Sequence, residues 1–249
     1  MKGFPLHIGN IISKFQPLAR EILNVLFPGF CPVCNIPVLS PQFLCENCTA
    51  ALPPMPENYC LHCGMATGQP MLGCGSCLLV EDRPDRVYFP FLYQEPLNHL
   101  VVQYKFSDRT EWARHLGELA MERVGPLLVW EDLELVVPVP LHPLRLLWRG
   151  YNQAALLAGA MAGKLHKPLV TNALHRIKMT QPQTKLDQRA RQTNVRNAFV
   201  ANQTVVAGRT VLMVDDVFTT GSTVWSATQA LKEGGAQRVV VCCLTRVAH

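Results

Sequence analysis

Five consecutive β-branched or apolar positions, Thr210 to Val214, make a run too short for a helix and apolar on both of its faces. Such a run predicts a strand buried on both sides of a parallel sheet. Leu133–Val137 and Arg238–Leu244 predict two more buried strands, whereas Arg86 to Tyr93 alternates through Val87, Phe89, Phe91 and Tyr93 as a half-buried strand does. Helical spacing covers Leu97–Phe106 and Glu111–Val124, an alanine-rich stretch from Gln153 through Lys164, and Val224–Lys232, which Gly234 and Gly235 close as a C-cap. Strands and helices in alternation predict an α/β domain over residues 83–249.

The first 80 residues follow another pattern. Ile8, Ile11, Ile12, Phe15, Leu18, Ile22, Val25 and Leu26 predict an amphipathic helix over residues 1–27, stopped by Pro28 and Gly29. Its apolar face either packs on the body of the protein or meets a partner or membrane interface. Residues 28–80 then hold four C-x-x-C pairs: Cys31/Cys34, Cys45/Cys48, Cys60/Cys63 and Cys74/Cys77. Each cysteine of the first half recurs 29 residues later, so the segment is an internal repeat of two four-thiolate sets. Two C-x-x-C turns close a tetrahedral zinc site with no open position, and two structural Zn²⁺ ions are expected, with folding tied to metal uptake. The repeat favours sequential pairing, although a cross-brace would use the same eight residues. His62 is expected to be a bystander, and Cys242 and Cys243 small buried apolar residues.

Composition narrows the class. Nearly half of the 249 residues are apolar, which implies a globular chain. No apolar run approaches the ~20 residues of a membrane span, and residues 1–30 lack a secretory pattern, so the expected location is cytoplasmic, with reduced cysteines. The net charge of +5 is unevenly spread. Ten Lys/Arg face one acid between His142 and Asn197, against eleven acids and six bases between Glu81 and Glu134. That concentration suits a polyanionic ligand.

The chemistry lies after the 210–214 run. Asp215 and Asp216 are expected at the carboxyl end of the strand, where open α/β sheets bind ligands, and Thr219, Thr220, Gly221, Ser222 and Thr223 lead into the next helix. Unsatisfied amides, the positive end of the helix dipole and several hydroxyls make that turn a phosphate site. Gly221 is expected where the backbone takes a positive φ or approaches a ligand closely. Carboxylates repel phosphate, so the pair suits vicinal hydroxyls or a magnesium-bound group, and a phosphorylated sugar satisfies both halves. Arg145 and Arg149, after another strand, either clamp a diphosphate or are surface helix residues. The polar, basic 176–197 stretch reads as a mobile lid.

Residues 211–223 resemble, position by position, the 13-residue phosphoribosyl pyrophosphate (PRPP) signature of type I phosphoribosyltransferases. Tyr104-Lys-Phe106, Pro138-Val-Pro-Leu-His142, Arg149-Gly-Tyr-Asn-Gln153, Thr180-Gln-Pro-Gln183, Arg191-Gln-Thr-Asn-Val195 and Thr245-Arg246 sharpen this to a resemblance to the ComF family of competence and DNA-utilisation proteins. It implies a double zinc ribbon ahead of a type I phosphoribosyltransferase fold. It further implies Asp215 and Asp216 on the ribose hydroxyls, residues 219–223 on the 5′-phosphate, Arg145 and Arg149 on the leaving pyrophosphate, and Lys185, Arg189 or Arg191 reaching it from the lid. Mg²⁺ would accompany PRPP. The implied partners are single-stranded DNA and the uptake machinery at the inner membrane, to which the protein would be peripheral. The alternatives are a salvage or biosynthetic transferase acting on a free base or small amine, and a non-catalytic PRPP sensor. The sequence offers no recognisable base-binding hood, and it leaves catalysis itself open.

Overall fold

The computed structural model describes residues 29–248, apart from 40, 70, 72, 81, 82 and 179–196. The expected N-terminal helix, Thr180, and the lid residues Lys185, Arg189 and Arg191 lie outside the described residues. The chain divides into two compact units, Met1–Leu52 and Pro53–His249, and the division falls between the two cysteine repeats.

In the first unit, β1 (Gly29–Phe30) and β2 (Pro37–Val38) form an antiparallel pair around the Cys31–Cys34 knuckle, and α1 (Glu46–Ala50) begins right after Cys45. In the second unit, Cys60–Cys63 makes the corresponding knuckle, and α2 (Gly75–Leu78) begins after Cys74. The repeat extends to the backbone. Asn35 and Gly64, 29 positions apart, both take left-handed φ, at 59° and 70°.

The rest of the second unit is a parallel sheet in the order β3-β9-β8-β5, with β3 Arg86–Tyr88, β5 Leu135–Pro138, β8 Thr210–Phe218 and β9 Arg238–Arg246. The short β4 (Phe91–Leu92) pairs with β9 beyond β3. A separate antiparallel pair, β6 (Leu174–Arg176) with β7 (Phe199–Ala201), stands apart from the main sheet. The helices are α3 (Leu97–Phe106), α4 (Trp112–Leu128), α5 (Pro143–Arg149), α6 (Gln153–Leu165), the short α7 (Gln203–Val206) and α8 (Ser222–Glu233). Val211, Leu212, Met213, Val214 and Val239–Val241 are fully buried, as runs apolar on both faces require.

Two expectations need correction. The Arg86–Tyr93 stretch is two strands, and its first part is buried on both faces: Tyr88 is buried along with Val87 and Phe89. Pro90 has no N–H to give the ladder, so pairing breaks there and resumes at Phe91. The strand from Thr210 runs on to Phe218, because its parallel register with β9 continues through Asp215↔Cys243 to Phe218↔Arg246. Asp215 and Asp216 therefore sit inside the strand. Pairing with β5 ends at Pro138↔Val214, one residue before the acids, so on that side they stand past the end of their neighbour.

Candidate functional site

Because the strands are parallel, their carboxyl ends share one edge, from which β5 leads on to α5 and β8 to α8. The turn after β8 is tight. Gly221 takes φ 81° and caps α8, Thr220 Oγ1 and Ser222 Oγ lie 2.8 Å apart, and the Trp225 amide donates to the Gly221 carbonyl at 2.8 Å. A Cβ on residue 221 would stand 2.7 Å from Phe218 Cζ and 3.1 Å from the Trp225 ring, so glycine is required by contact as well as by φ.

The two acids are held differently. Asp216 Oδ1 is 2.9 Å from Lys105 Nζ, and the Asp216 amide donates to Asp215 Oδ1 at 2.9 Å. Burial, and then the neighbouring Asp216 charge, push the Asp215 carboxyl up to about 7, against the opposing pull of that amide, Lys105 and Arg176. Asp216 is thus paired with Lys105, whereas Asp215 is raised by its burial and its neighbour.

Cations gather nearby. Arg176, on β6 and buried, is lowered to about 10 by desolvation and by the charge of Arg145, while Asp215 opposes the shift. Arg145 is lowered by desolvation and by Arg149. Arg149 lies 5.0 Å over the Phe106 ring and donates from Nη1 to Gln153 Oε1 at 2.9 Å, and its Nε is buried without a hydrogen-bond partner. Charge influences therefore run in a chain, from Asp215 to Arg176, from Arg176 to Arg145 and from Arg145 to Arg149. Lys105 and Arg149 also line one cavity of about 580 Å³, together with Tyr151 and Asp108.

The Arg149–Gln153 block is locked from beneath by α3. Tyr104 donates to the Gln153 carbonyl at 2.8 Å, Tyr151 donates to the Tyr104 carbonyl at 2.9 Å, and Asn152 donates to the Val139 carbonyl at 3.0 Å. Sequence reasoning assigned no role to Lys105, Arg176 or Arg246. Lys105 and Arg246 fall in short blocks that the family resemblance singles out, and Arg176 opens the basic 176–197 stretch expected to be a lid, whereas it lies buried on β6.

A larger cavity, about 760 Å³, opens at the carboxyl ends of β4, β8 and β9. Thr219, Thr220 and Trp225 form one side of it, and Cys63 and Cys77 lie on another.

The cysteines form two groups, Cys31/Cys34/Cys45/Cys48 and Cys60/Cys63/Cys74/Cys77, each with all sulfurs within 4.8 Å of one another. Pairing is therefore sequential, and His62 stands outside, its Nδ1 2.9 Å from the Pro84 carbonyl. Cys34 and Cys45 sulfurs are 3.6 Å apart, and Cys63 and Cys74 sulfurs 3.8 Å. Those spacings are too long for disulfides and match the edge of a tetrahedron of thiolates about 2.3 Å from zinc. Amides of Cys48 and Cys74 donate to the sulfurs of Cys45 and Cys60, as thiolate ligands require. The donor set fits structural Zn²⁺ in both groups. Cys242 and Cys243 are buried in β9, where desolvation raises both thiols.

Comparison with known proteins agrees. Residues 22–78 match the double zinc ribbon domain and residues 152–249 the phosphoribosyl transferase domain. The DNA utilization protein YhgH of Salmonella typhi is 36% identical over 223 residues, covering 88% of this chain and 97% of that protein. The chain belongs to the ComF family. Competence protein F of Haemophilus influenzae is 34% identical, over 82% of this chain and 90% of its own. Competence protein ComFC of Streptococcus pneumoniae is 25% identical, over 82% and 87%. The ComF fold here is a phosphoribosyltransferase-type parallel sheet with flanking helices and zinc-ribbon cysteine groups. Among the described residues, no helix is long and apolar enough to cross a membrane.

Proposed function

We propose that this chain binds PRPP with Mg²⁺ at the β8–α8 turn and works in natural transformation or DNA utilisation, handling incoming single-stranded DNA in the cytoplasm, peripheral to the inner membrane. Residues 28–80 would form the ribbons and residues 83–249 the transferase-like body. The observation that carries the ligand is the pairing, on one strand and its turn, of two acids with a hydroxyl-lined, glycine-capped helix start. The DNA role is supported by the names of relatives aligned over most of the chain.

In this reading Asp215 and Asp216 accept hydrogen bonds from the ribose diol, and Lys105 yields some of its hold on Asp216 as the sugar docks. Residues 219–223 grip the 5′-phosphate through amides and hydroxyls, and Arg145 and Arg149 neutralise the diphosphate. Mg²⁺ would neutralise further charge on the diphosphate. Catalysis, if present, displaces pyrophosphate at ribose C1.

Thermal unfolding tests the ligand. PRPP with Mg²⁺ at about 100 times its Kd should stabilise the wild type by about 2.7 kcal/mol and leave the Asp215→Asn/Asp216→Asn double variant almost unmoved. A wild type that ignores PRPP rejects the reading. A second reading, transfer to a free base or small amine, is favoured by the large cavity beside Thr219 and Thr220, whose walls include Met55, Met65 and Trp225. Pyrophosphate release in a screen of bases would support it.

A further inference from the structure

Arg246, the last residue of β9, is buried to 6% exposure with no carboxylate among its described partners. Its guanidinium donates from Nε to the Cys63 carbonyl at 2.5 Å, and from Nη1 to the Thr219 carbonyl at 3.1 Å and to the Val247 carbonyl. One side chain thus bonds the knuckle of the second cysteine group and the first residue of the β8–α8 turn. An apolar path runs beside this polar one. Arg246 stacks 5.0 Å over the Phe218 ring, Phe218 meets Phe89 edge-on at 5.2 Å, and Phe89 fills the space beside Gly64, where a Cβ would come within 2.4 Å of its ring.

The charges agree with the contacts. Desolvation lowers the buried Arg246 guanidinium, and the charge of the neighbouring cysteines, Cys63 foremost, opposes that shift. A zinc ion bound by four thiolates keeps net negative charge, so a filled second site would favour a buried guanidinium there.

We infer that Arg246 is a positioning residue through which the Cys60/Cys63/Cys74/Cys77 zinc ribbon sets the shape of the phosphate turn. Zinc in that site and phosphosugar in the turn are then coupled: each binds more tightly when the other is present. The ligand half rests on the function proposed above, and the positioning half stands without it. The first cysteine group shares no residue with these contacts and serves as the control.

Two measurements decide the matter. In the ligand-free holoprotein, amide hydrogen exchange over residues 219–225 should quicken roughly tenfold in Arg246→Lys, which keeps the charge but loses the two-armed donor geometry. The same loosening is expected in Cys77→Ser and is not expected in Cys34→Ser. Unchanged exchange in both Arg246→Lys and Cys77→Ser, or equal loosening in Cys34→Ser, would overturn the inference. The second measurement is zinc transfer to a zinc-selective chelator from Cys34→Ser, which retains the second site. Saturating PRPP with Mg²⁺ should raise roughly tenfold the free chelator needed for half-transfer at equilibrium, since coupling of binding is reciprocal, and the rise should disappear when Arg246→Lys is added. PRPP uptake seen by calorimetry with no change in zinc transfer refutes coupling. Absence of uptake refutes the PRPP reading alone, and the exchange result then decides the positioning role. Should Arg246→Lys fail to fold, chelator removal of the second zinc from Cys34→Ser supplies the same exchange comparison.

Discussion

Asp215 is the acid of the candidate site whose chemistry departs from its ordinary form. Its folded carboxyl is raised to about 7 by burial and by Asp216, so between its usual range and that value the folded protein holds a proton that the unfolded chain has released. Stability from this group therefore falls as pH rises from about 4 to about 7, and it is level above that. Asp215→Asn should flatten this slope and stabilise the ligand-free protein at pH 8 by roughly 1–3 kcal/mol. Unfolding measured across that pH range checks it, and parallel curves for the two proteins would mean that the carboxyl titrates normally. The identities of both acids were plain in the sequence. Their inequality was not, because it comes from Lys105 on one acid and from the buried surroundings of the other.

At the scale of the element, the β8–α8 unit depends on one glycine. Phe218 and Trp225 close around Gly221, whose φ is 81°, so Gly221→Ala combines a left-handed alanine with a contact that must move aside. A loss of roughly 1–3 kcal/mol is expected, readable as a lower denaturant midpoint with an unchanged m-value. The turn, the glycine and the helix following it were legible in the local pattern, because the residues that demand them are neighbours in sequence. The length of β8 was not legible. It is set by β9, whose register carries the ladder past the apolar run as far as Phe218, and polar residues at 215 and 216 disguise that continuation. Pro90 shows the reverse case, an alternating pattern that one missing amide divides in two.

For the molecule as a whole, the excess of basic residues between 142 and 197 has a structural counterpart in Arg145, which feels the charge of Arg149 and in turn acts on Arg176. If single-stranded DNA is a partner, its affinity should fall linearly with the logarithm of salt concentration, with a slope near −0.7 per phosphate neutralised. Arg145→Gln should shorten that slope by about one such contact if DNA crosses this edge. Fluorescence titrations of a labelled oligonucleotide at several salt concentrations measure both, and a flat salt profile removes DNA from the partners of this surface.

Taken alone, the sequence determined what depends on residue type and near spacing: the two cysteine sets, the buried runs, the acids followed by a hydroxyl-rich turn, and the alternation that makes an α/β body. These are written locally, since metal turns, strand periodicity and helix caps involve residues a few positions apart. Tertiary structure alone decided which distant groups meet. It set Lys105 against Asp216, drew Arg176 toward Asp215, and joined Cys63 to Thr219 through Arg246, across 183 positions in the longest of these bonds. Parallel strands bring chain-distant ends to one edge, and no local pattern encodes which side chains that edge will share.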